Sequence, residues 1–311
     1  MIKVLSIRKQ HLEDCLDALP EFKVYTFTFG RRKRADPARH TALINYVRKI
    51  KPHVFFIWKH DFILPGTLAR IKRASPKTKI LMWYGDLRGN QVVPLIRARI
   101  PFLDGLLITN NAPQQLEMYR QAGIPFVHTF YHSFSTDEFQ LWDKPITHDV
   151  FFGGSNFGVQ KFPLSLFRRQ LIGKINNRFN LVVHGGGWKF PTQNWILRQR
   201  YAKELRKAHI NIGVNHYSVL RYYNRRLFEC VGSGKLHITH YIPGMEKHFV
   251  HRKHLLWFHT PEQAIKQIQY YLNNPEEREQ IAKQGRAFFI KNHSWPVRTK
   301  QFAHIIKKLL A

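Results

Sequence analysis

The sequence predicts two α/β domains in tandem, each with a mostly parallel, doubly wound sheet and helices on both faces. Short apolar runs that suit buried strands alternate with stripes of apolar residues at helical spacing, and this alternation is typical of parallel sheets. The alternation pauses at residues 143–147 and then restarts. A length of 311 residues allows two such domains, each with its own core.

The first half contains six strand-like runs with helical stripes between most of them. The runs are rich in β-branched and aromatic residues, and several stripes end at proline or glycine. The predicted strands are residues 4–7, 24–29, 54–58, 79–84, 103–109 and 125–130. The predicted helices are residues 12–19, 42–50, 64–71 and 113–122.

The second half repeats this rhythm and adds a helical tail. Its predicted strands are residues 149–152, 179–183, 210–214 and 236–239. Its predicted helices are residues 164–172, 201–208, 261–272, 274–289 and 297–310, of which the last is basic and amphipathic.

The segment 222–236 is predicted to form a loop, a short helix, a turn and a strand, with Asn224 as the candidate N-cap. Glu229 lies one turn into this helix, and Arg225 and Arg226 lie at its start. A carboxylate beside arginines at a helix N-terminus suits a ligand with both hydroxyl groups and phosphates. The alternative is a capped surface helix whose glutamate offsets the arginines.

The charge balance is strongly basic. Lys and Arg number 50 against 20 Asp and Glu, which gives a formal net charge of +30. Such a charge attracts polyanions such as nucleic acid, anionic lipid or anionic polysaccharide. The alternative is a role in solubility or an adaptation to the host cytoplasm.

The cysteine count and the apolar runs bear on the compartment. Cys15 and Cys230 are too few for a disulfide framework, which favours a reducing environment. Charge appears too early for a signal peptide, and no run approaches the roughly 20 apolar residues of a membrane span. We therefore expect a soluble, cytoplasmic protein without a membrane span, in the host cytoplasm if it is viral.

Glycine-rich and polar motifs follow several elements of the second domain. Because the carboxyl ends of parallel strands meet at one edge of a sheet, we expect these motifs to converge. Glycines let backbone N–H groups approach phosphate oxygens, although each motif alone could be a tight turn. Together they predict a site for a nucleotide-containing ligand. The motifs are Gly153-Gly154-Ser155-Asn156, His184-Gly185-Gly186-Gly187, Asn215-His216-Tyr217-Ser218 and Asn224-Arg225-Arg226.

Other motif interpretations fail on context. No Gly-x-Gly-x-x-Gly follows the first strand, which disfavours a dinucleotide dehydrogenase. Residues 232–235 lack the spacing of a phosphate-binding P-loop, and Leu236 stands where Ser or Thr would bind magnesium. The loop 184–187 lacks the Gly-x-Ser-x-Gly elbow of a lipase. His248, His251 and His254 have no suitable partners for a metal and are predicted to form a basic surface.

The order of these motifs resembles that of the GT-B glycosyltransferases, and most of all the spore-maturation type with a C-terminal "glycosyl transferases group 1" domain. The resemblance covers most of the chain and is more specific in residues 149–300. The segments that carry it are 150–155, the glycine turn at 185, 224–229, 243–246, 271–278 and 293–298, together with Asp86 after Trp83 and the run 119–139 in the first half.

The resemblance implies two Rossmann-like domains that face a cleft. By it, residues 1–143 bind the acceptor, residues 148–293 bind a nucleotide sugar, and a C-terminal helix in 294–311 crosses back to the first domain. The donor is expected to be a UDP-sugar that acts as co-substrate, with no tightly bound cofactor. The chain has no Asp-x-Asp pair, which agrees with a metal-independent GT-B site.

The resemblance also implies roles for individual residues of the donor site. Glu229 would accept hydrogen bonds from the ribose hydroxyl groups. Arg226 would face the diphosphate after the Asn224 cap, with Arg225 as the alternative. The other expected donor-binding residues are Gly153, Gly154, Ser155, Asn156, Lys161, His184, Gly185 and Gly186.

An inverting reaction also needs a base to deprotonate the acceptor hydroxyl group. Asp86 follows a first-domain strand and is the first candidate for the catalytic base, with Asp61 and His60 behind it. The alternative for Asp86 is a turn residue before Gly89.

The net charge favours a polyanionic acceptor, and we expect double-stranded DNA with hydroxymethylated bases. Bacteriophage DNA glucosyltransferases also have the GT-B arrangement. The alternatives are a glycosyltransferase acting on a cell-surface polysaccharide, teichoic-type polymer or protein, and a non-catalytic basic protein that binds nucleic acid. The candidate phosphate contacts are Arg31, Arg32, Lys33, Arg34, Arg70, Lys72, Arg73, Lys77, Arg88, Arg97 and Arg99.

Overall fold

The computed structural model describes residues 1–29, 36–59, 63–86, 89–158 and 161–311. This part of the chain divides into two compact units. Unit 1 comprises Met1–Tyr131 and Trp295–Ala311, and unit 2 comprises His132–Ser294. The division falls before residues 143–147 because the segment after Tyr131 packs on unit 2. There the Phe134 ring leaves no room for a Cβ atom on Gly232.

Unit 1 contains a parallel sheet of six strands in its described residues. The strands are β1 (Ile2–Ser6), β2 (Phe22–Thr26), β3 (Val54–Ile57), β4 (Lys79–Tyr84), β5 (Gly105–Ile108) and β6 (Phe126–Thr129). Their order across the sheet is β2-β1-β3-β4-β5-β6. The helices between them are α1 (His11–Asp17), α2 (Pro37–Ile50), α3 (Pro65–Ala74), α4 (Pro94–Arg97) and α5 (Pro113–Gln121).

Unit 2 contains a second parallel sheet, of five strands in its described residues. The strands are β7 (His148–Gly153), β8 (Leu181–His184), β9 (Ala208–Gly213), β10 (Leu236–His240) and β11 (Leu256–Phe258), in the order β11-β10-β9-β7-β8. The helices are α6 (Ser165–Asn176), α7 (Arg198–Leu205), α8 (Arg225–Gly232), α9 (Pro261–Asn273) and α10 (Pro275–His293).

When each sheet is numbered from its own first strand, the five-strand order of unit 2 matches that of the first five strands of unit 1. In both, the order reverses beside the first strand, between β1 and β3 in unit 1 and between β7 and β9 in unit 2. Ligands of open α/β sheets bind beyond the carboxyl ends of the strands at such a switch point. The topology therefore directs attention to the residues that follow β7 and β9.

Both faces of the unit 1 sheet are buried, as parallel sheets require. Alternate side chains point to opposite faces, so Leu5 and Phe55 enter one core while Val4 and Phe56 enter the other. The second core is closed by α11 (Trp295–Leu310), which supplies Phe302 among its buried residues. The prediction of two doubly wound domains with a C-terminal helix returning to the first is confirmed.

Helix boundaries in unit 2 follow local sequence signals. Thr260 caps α9 by accepting a hydrogen bond from the Gln263 backbone N–H at 3.2 Å. The Gln263 side chain accepts in return from the Thr260 N–H, and Pro261 occupies the first turn. Signals of this kind made α9 predictable to within one residue. The three-residue strand β11 and the four-residue helix α4 are too short to give a periodic pattern, and they were not predicted.

No helix in the described ranges is long and apolar enough to cross a membrane.

Two helix glycines provide a matched test of the packing. A Cβ atom on Gly285 of α10 would lie 2.0 Å from the His254 carbonyl oxygen, whereas one on Gly173 of α6 would meet nothing within 4 Å. We expect Gly285→Ala to lower the free energy of unfolding by about 2 kcal/mol, because backbone atoms must move. Gly173→Ala should raise it by about 0.5–1 kcal/mol through helix propensity. Urea denaturation measures both, and equal effects of the two substitutions would contradict this packing.

Candidate functional site

Two backbone segments meet at the carboxyl edge of the unit 2 sheet, beside the switch point. The turn Gly153–Asn156 follows β7, and the loop Gly185–Gly187 follows β8. The Gly154 N–H donates to the His184 carbonyl, and the Asn156 N–H donates to the Gly186 carbonyl, each at 2.9 Å. The convergence predicted for the first two glycine motifs is therefore present in the structure.

Glycine is required at two positions of the loop. Gly185 has φ 141°, and a Cβ atom there would lie 2.6 Å from the Gly154 carbonyl carbon. Gly187 has φ 86°, and its Cβ atom would lie 2.1 Å from the Asn156 carbonyl oxygen. Both residues adopt left-handed conformations and press against the neighbouring backbone, which side chains would prevent. Gly186 has open space instead, with nothing within 4 Å of a Cβ atom.

Helix α8 begins at the same edge of the sheet, and its N-cap is Asn224 as predicted. The Asn224 side chain accepts from the Leu227 N–H at 3.2 Å and donates to the Asn215 side chain. Asn215 follows β9 and donates to the Tyr222 carbonyl at 2.8 Å. The residues after β9 thus fix the start of α8. The predicted motifs 215–218 and 224–226 therefore lie together.

The two arginines at the start of α8 have different partners. Arg226 donates from Nη1 to the Gly153 carbonyl at 2.8 Å, so it lies beside the turn after β7. Arg225 is exposed, and its Nε lies 3.0 Å from Oε1 of Glu229, one turn further along. The sequence placed both arginines near the site, and the structure separates their contacts.

Glu229 is a buried carboxylate with 5% exposure. Burial raises its pKa above the ordinary value, and the nearby Arg225 opposes this shift. Tyr201 lies in the same buried region, with its hydroxyl group 3.9 Å from the Cys230 sulfur. A buried carboxylate on the helix whose Arg226 contacts the glycine turn has the character of a ligand-binding group.

Three other predicted residues lie around the turn. Ser155 accepts a hydrogen bond from the Trp195 indole N–H at 3.0 Å, and His184 donates from Nδ1 to the Asn194 carbonyl at 2.7 Å. Lys161 is exposed, and its ammonium group lies 4.8 Å from the centroid of the Phe157 ring. The Trp195 side chain is 52% exposed and was not predicted, because it lies in a loop without a motif.

The sequence did not predict Arg168 as a residue of this site. It lies in the first turn of α6 and is 2% exposed, and its Nη1 donates to the Val214 carbonyl at 3.0 Å. The guanidinium carbon lies 4.8 Å from the Phe152 ring centroid. Its Nε and Nη2 are buried and have no hydrogen-bond partner in the described part of the chain. Burial lowers the pKa of Arg168 well below its ordinary range, and the charge of Arg226 adds to this effect.

In unit 1 the structure describes one of the three candidate bases. Asp86 lies after β4 and forms an ion pair with Lys59, which lies after β3. The Lys59 ammonium group is also 5.5 Å from the centroid of the Tyr84 ring. His60 and Asp61 lie outside the described residues. Lys59 was not predicted as a partner because no sequence spacing links it to Asp86.

The candidate phosphate contacts divide into three groups. Arg31, Arg32, Lys33, Arg34 and Arg88 lie outside the described residues. Arg70, Arg73, Lys77 and Arg97 are exposed.

The third group, Arg99 and Lys72, contradicts the prediction of exposed phosphate contacts. Arg99 is 3% exposed and donates to the Ile63 carbonyl from two nitrogens, so it is a structural arginine. Lys72 is tied to Asp104 and to the Thr78 carbonyl. Both side chains are held by groups of the fold and are not available as surface phosphate contacts.

His251 and His254 do not contribute to the predicted basic surface. His254 is buried, and its ring stacks on Phe288 at 3.8 Å between centroids. The His251 ring lies 4.5 Å from that of Trp257. Burial lowers the pKa of both histidines. Within the described ranges, no group of three or more His, Cys, Asp or Glu residues could hold a metal ion.

Comparison with known families gives a match in unit 2 and the start of α11. Residues 166–304 match the model of a family described as "Glycosyl transferase-like". No curated protein sequence matches the chain.

Several solved structures share the architecture along nearly the whole chain. Sucrose-phosphate synthase from Thermosynechococcus elongatus has a TM-score of 0.68 at 12% identity and covers 99% of both chains. A glycosyltransferase from Rickettsia africae has a TM-score of 0.67 at 11% identity, covering 99% of this chain and 98% of that one. HepE from Anabaena, in complex with UDP-glucose, has a TM-score of 0.64 at 9% identity, covering 99% of this chain and 100% of that one.

The chain has the GT-B fold. The expectation from the motif order is confirmed at the level of fold, and residues 166–304 carry the family match. In this GT-B chain the switch point of unit 2 combines three arginines, one buried carboxylate and a glycine turn.

The buried charge of Glu229 gives a prediction about stability and pH. Because burial raises its pKa above the ordinary value of 4.5, the folded chain holds this proton to a higher pH than the unfolded chain does. The Glu229 contribution to stability therefore falls as pH rises from about 4.5 through the raised pKa. We expect Glu229→Gln to be more stable than the wild type at pH 7.5, with a difference that shrinks towards pH 4.5.

Urea denaturation at both pH values checks this expectation. Glu276→Gln serves as the control, because Glu276 is an exposed carboxylate on α10. A stability difference for Glu229→Gln that is the same at both pH values would contradict the burial of an unfavourable charge.

Proposed function

We propose that the chain is a glycosyltransferase that moves a hexose or pentose from a UDP-sugar to a hydroxyl group of an acceptor. The observation that carries this proposal is the buried carboxylate Glu229 on the helix whose Arg226 contacts the glycine turn after β7. The family match over residues 166–304 and the similarity in fold to HepE, solved with UDP-glucose, support it.

In the proposed donor site Glu229 binds the ribose. Arg225 contacts Oε1 of this carboxylate, which leaves Oε2 as the acceptor for a ribose hydroxyl group. The raised pKa of Glu229 fits this role, since hydroxyl donors would replace the lost hydration of the carboxylate. His184 and Lys161, at the adjoining loops, are proposed to contact the base or the phosphates.

The proposed phosphate site is the turn Gly153–Asn156 with Arg226. A guanidinium group has five N–H donors, so the bond to the Gly153 carbonyl leaves others for phosphate oxygens. Fixed arginine charges and backbone dipoles would stabilise the departing nucleoside diphosphate without reorganisation. This charge stabilisation comes from the chain itself, and the proposed reaction includes no metal ion.

For the acceptor side we propose Asp86 as the general base. Its carboxylate follows β4, at the carboxyl edge of the unit 1 sheet, and is held by Lys59. As a carboxylate it would take the proton from the attacking hydroxyl group. Asp61 and His60 remain candidates for the same role.

The ribose role of Glu229 predicts a loss of donor affinity. We expect Glu229→Ala to weaken UDP binding by about tenfold or more, because hydrogen bonds to a charged group are worth roughly 1.5–3 kcal/mol. Isothermal titration calorimetry with UDP measures this, and Glu276→Ala should bind as the wild type does. Unchanged affinity in Glu229→Ala would remove Glu229 from the site.

For the acceptor we propose duplex DNA with hydroxymethylated bases. The supporting observations are the net charge of +30 and the exposed arginines Arg70 and Arg73 on α3. A base within the duplex would have to be flipped out before transfer, at a cost of a few kcal/mol. The same charge suits an anionic cell-surface polymer, which is the alternative acceptor.

This acceptor predicts a steep salt response. If six or more phosphates are contacted, duplex affinity should fall by roughly 10³-fold or more between 50 and 200 mM salt. Fluorescence anisotropy measures the binding, and Arg70→Gln with Arg73→Gln should flatten the slope. Transfer of labelled sugar to hydroxymethylated DNA, compared with unmodified DNA and teichoic-type polymer, identifies the acceptor. A flat salt response would argue against DNA, and DNA binding without any sugar turnover would indicate a non-catalytic protein.

A further inference from the structure

We propose that Arg168 is a positioning residue for the donor diphosphate, supplying a buried positive charge beneath the Gly153–Asn156 turn that the phosphates neutralise. This inference rests on the proposed function, because it adds a contributor to the same site. Arg168 belongs to none of the glycine or polar motifs at the strand ends, and its assignment comes from its contacts.

The position of Arg168 is the switch point itself. Its Nη1 donates to the carbonyl of Val214, the residue after β9, at 3.0 Å. A Cβ atom on Gly154, the residue after β7, would lie 2.0 Å from its Nη2. The guanidinium group therefore spans the ends of the two strands between which the sheet order reverses, where ligands of such sheets bind.

Two guanidinium nitrogens of Arg168 have no hydrogen-bond partner in the described chain, whereas the buried Arg298 has one such nitrogen. Arg278 is 5% exposed, but it donates to the Tyr271 carbonyl at 2.8 Å and lies 3.4 Å from Glu279. Arg168 has no ion pair within the described residues, and its Nε and Nη2 are unpartnered. A buried charge without a counter-charge is costly, so its presence calls for an anion, which the described residues do not supply.

The charge of the neighbouring Arg226 increases the need for an anion at this place. Arg226 contacts the Gly153 carbonyl, so two guanidinium groups flank the dipeptide Gly153-Gly154. The charge of Arg226 disfavours the charged form of Arg168. The nearby carboxylate, Glu229, is already paired with Arg225. A ligand with two or more negative charges fits this excess.

Because the Nε and Nη2 atoms of Arg168 are buried, we expect Arg168 to act on the phosphates through the electric field of its charge and not through direct contact. A Cβ atom on Gly154 would lie 2.0 Å from Nη2 of Arg168, so only the backbone of the turn would separate the guanidinium group from a phosphate bound to the turn. In a medium of low dielectric constant a charge at this separation acts strongly on a phosphate. The effect should therefore grow with the number of phosphate charges on the ligand.

The test compares three variants and three ligands. Arg168→Met removes the charge and keeps much of the volume, and Arg168→Lys keeps the charge. Arg169→Met is the matched control, since it removes one arginine charge at the next, half-buried position of the same helix. Calorimetric titration with UDP, UMP and uridine gives the affinity for two, one and no phosphates.

For Arg168→Met we expect UDP affinity to fall by about tenfold or more, UMP affinity to fall less, and uridine affinity to stay unchanged. Arg168→Lys should recover part of the loss, and Arg169→Met should behave as the wild type. The free energy of unfolding of Arg168→Met, from urea denaturation, should be equal to that of the wild type or higher. The substitution leaves no carboxylate unpaired in the described chain.

Two results would overturn the inference while leaving the proposed function standing. One is wild-type UDP affinity in Arg168→Met. The other is a loss of stability with equal weakening of UDP, UMP and uridine, which would make Arg168 a purely structural residue. Failure of the wild type to bind UDP would overturn the proposed function, and this inference with it.

Discussion

The candidate site depends on the close approach of two backbone segments, Gly153–Asn156 and Gly185–Gly187. Cβ atoms on Gly185 and Gly187 would lie only 2.6 and 2.1 Å from atoms of the first segment. Carbonyls of the β8 side therefore accept hydrogen bonds from the turn, and the turn is held at the switch point without bulky side chains in between. A backbone surface of this kind can lie directly against a phosphate, whereas side chains on these residues would keep the phosphate away.

This constraint also determines where charge is placed. Because the Gly153 carbonyl faces α8, Arg226 is anchored to the turn, and Gly154 leaves room beneath for Arg168. Burial disfavours the charged forms of both Arg168 and Glu229. Buried charges of this kind lower the stability of the fold unless a ligand provides opposite charges or hydrogen bonds. For this reason a binding site is often less stable than the same region would be with apolar residues.

Much of the fold and part of the site were predictable from sequence, for physical reasons. Buried parallel strands give continuous apolar runs, so β4 was predicted at its observed bounds, and the glycines of 153–154 and 185 lie where backbones meet. The roles of individual charges were not predictable. Arg168 lies in an ordinary helical stripe, and its distinguishing property is a pair of buried nitrogens without a partner in the described chain, which depends on tertiary contacts. The sequence places Arg99 in a basic surface, yet its side chain is buried and donates to the Ile63 and Leu95 carbonyls.

The net charge of +30 and the positive charge at the switch point are separate properties. The switch point holds three arginines against one carboxylate, a small share of the total, and their positions follow from α6, α8 and the glycine turn. The remaining excess includes exposed residues of unit 1 such as Arg70 and Arg73. A site for a diphosphate needs fixed, partly buried charges at one place, whereas a long polyanion needs many exposed charges over a surface. The donor assignment therefore holds or fails on local geometry, and the acceptor assignment on the distribution of surface charge.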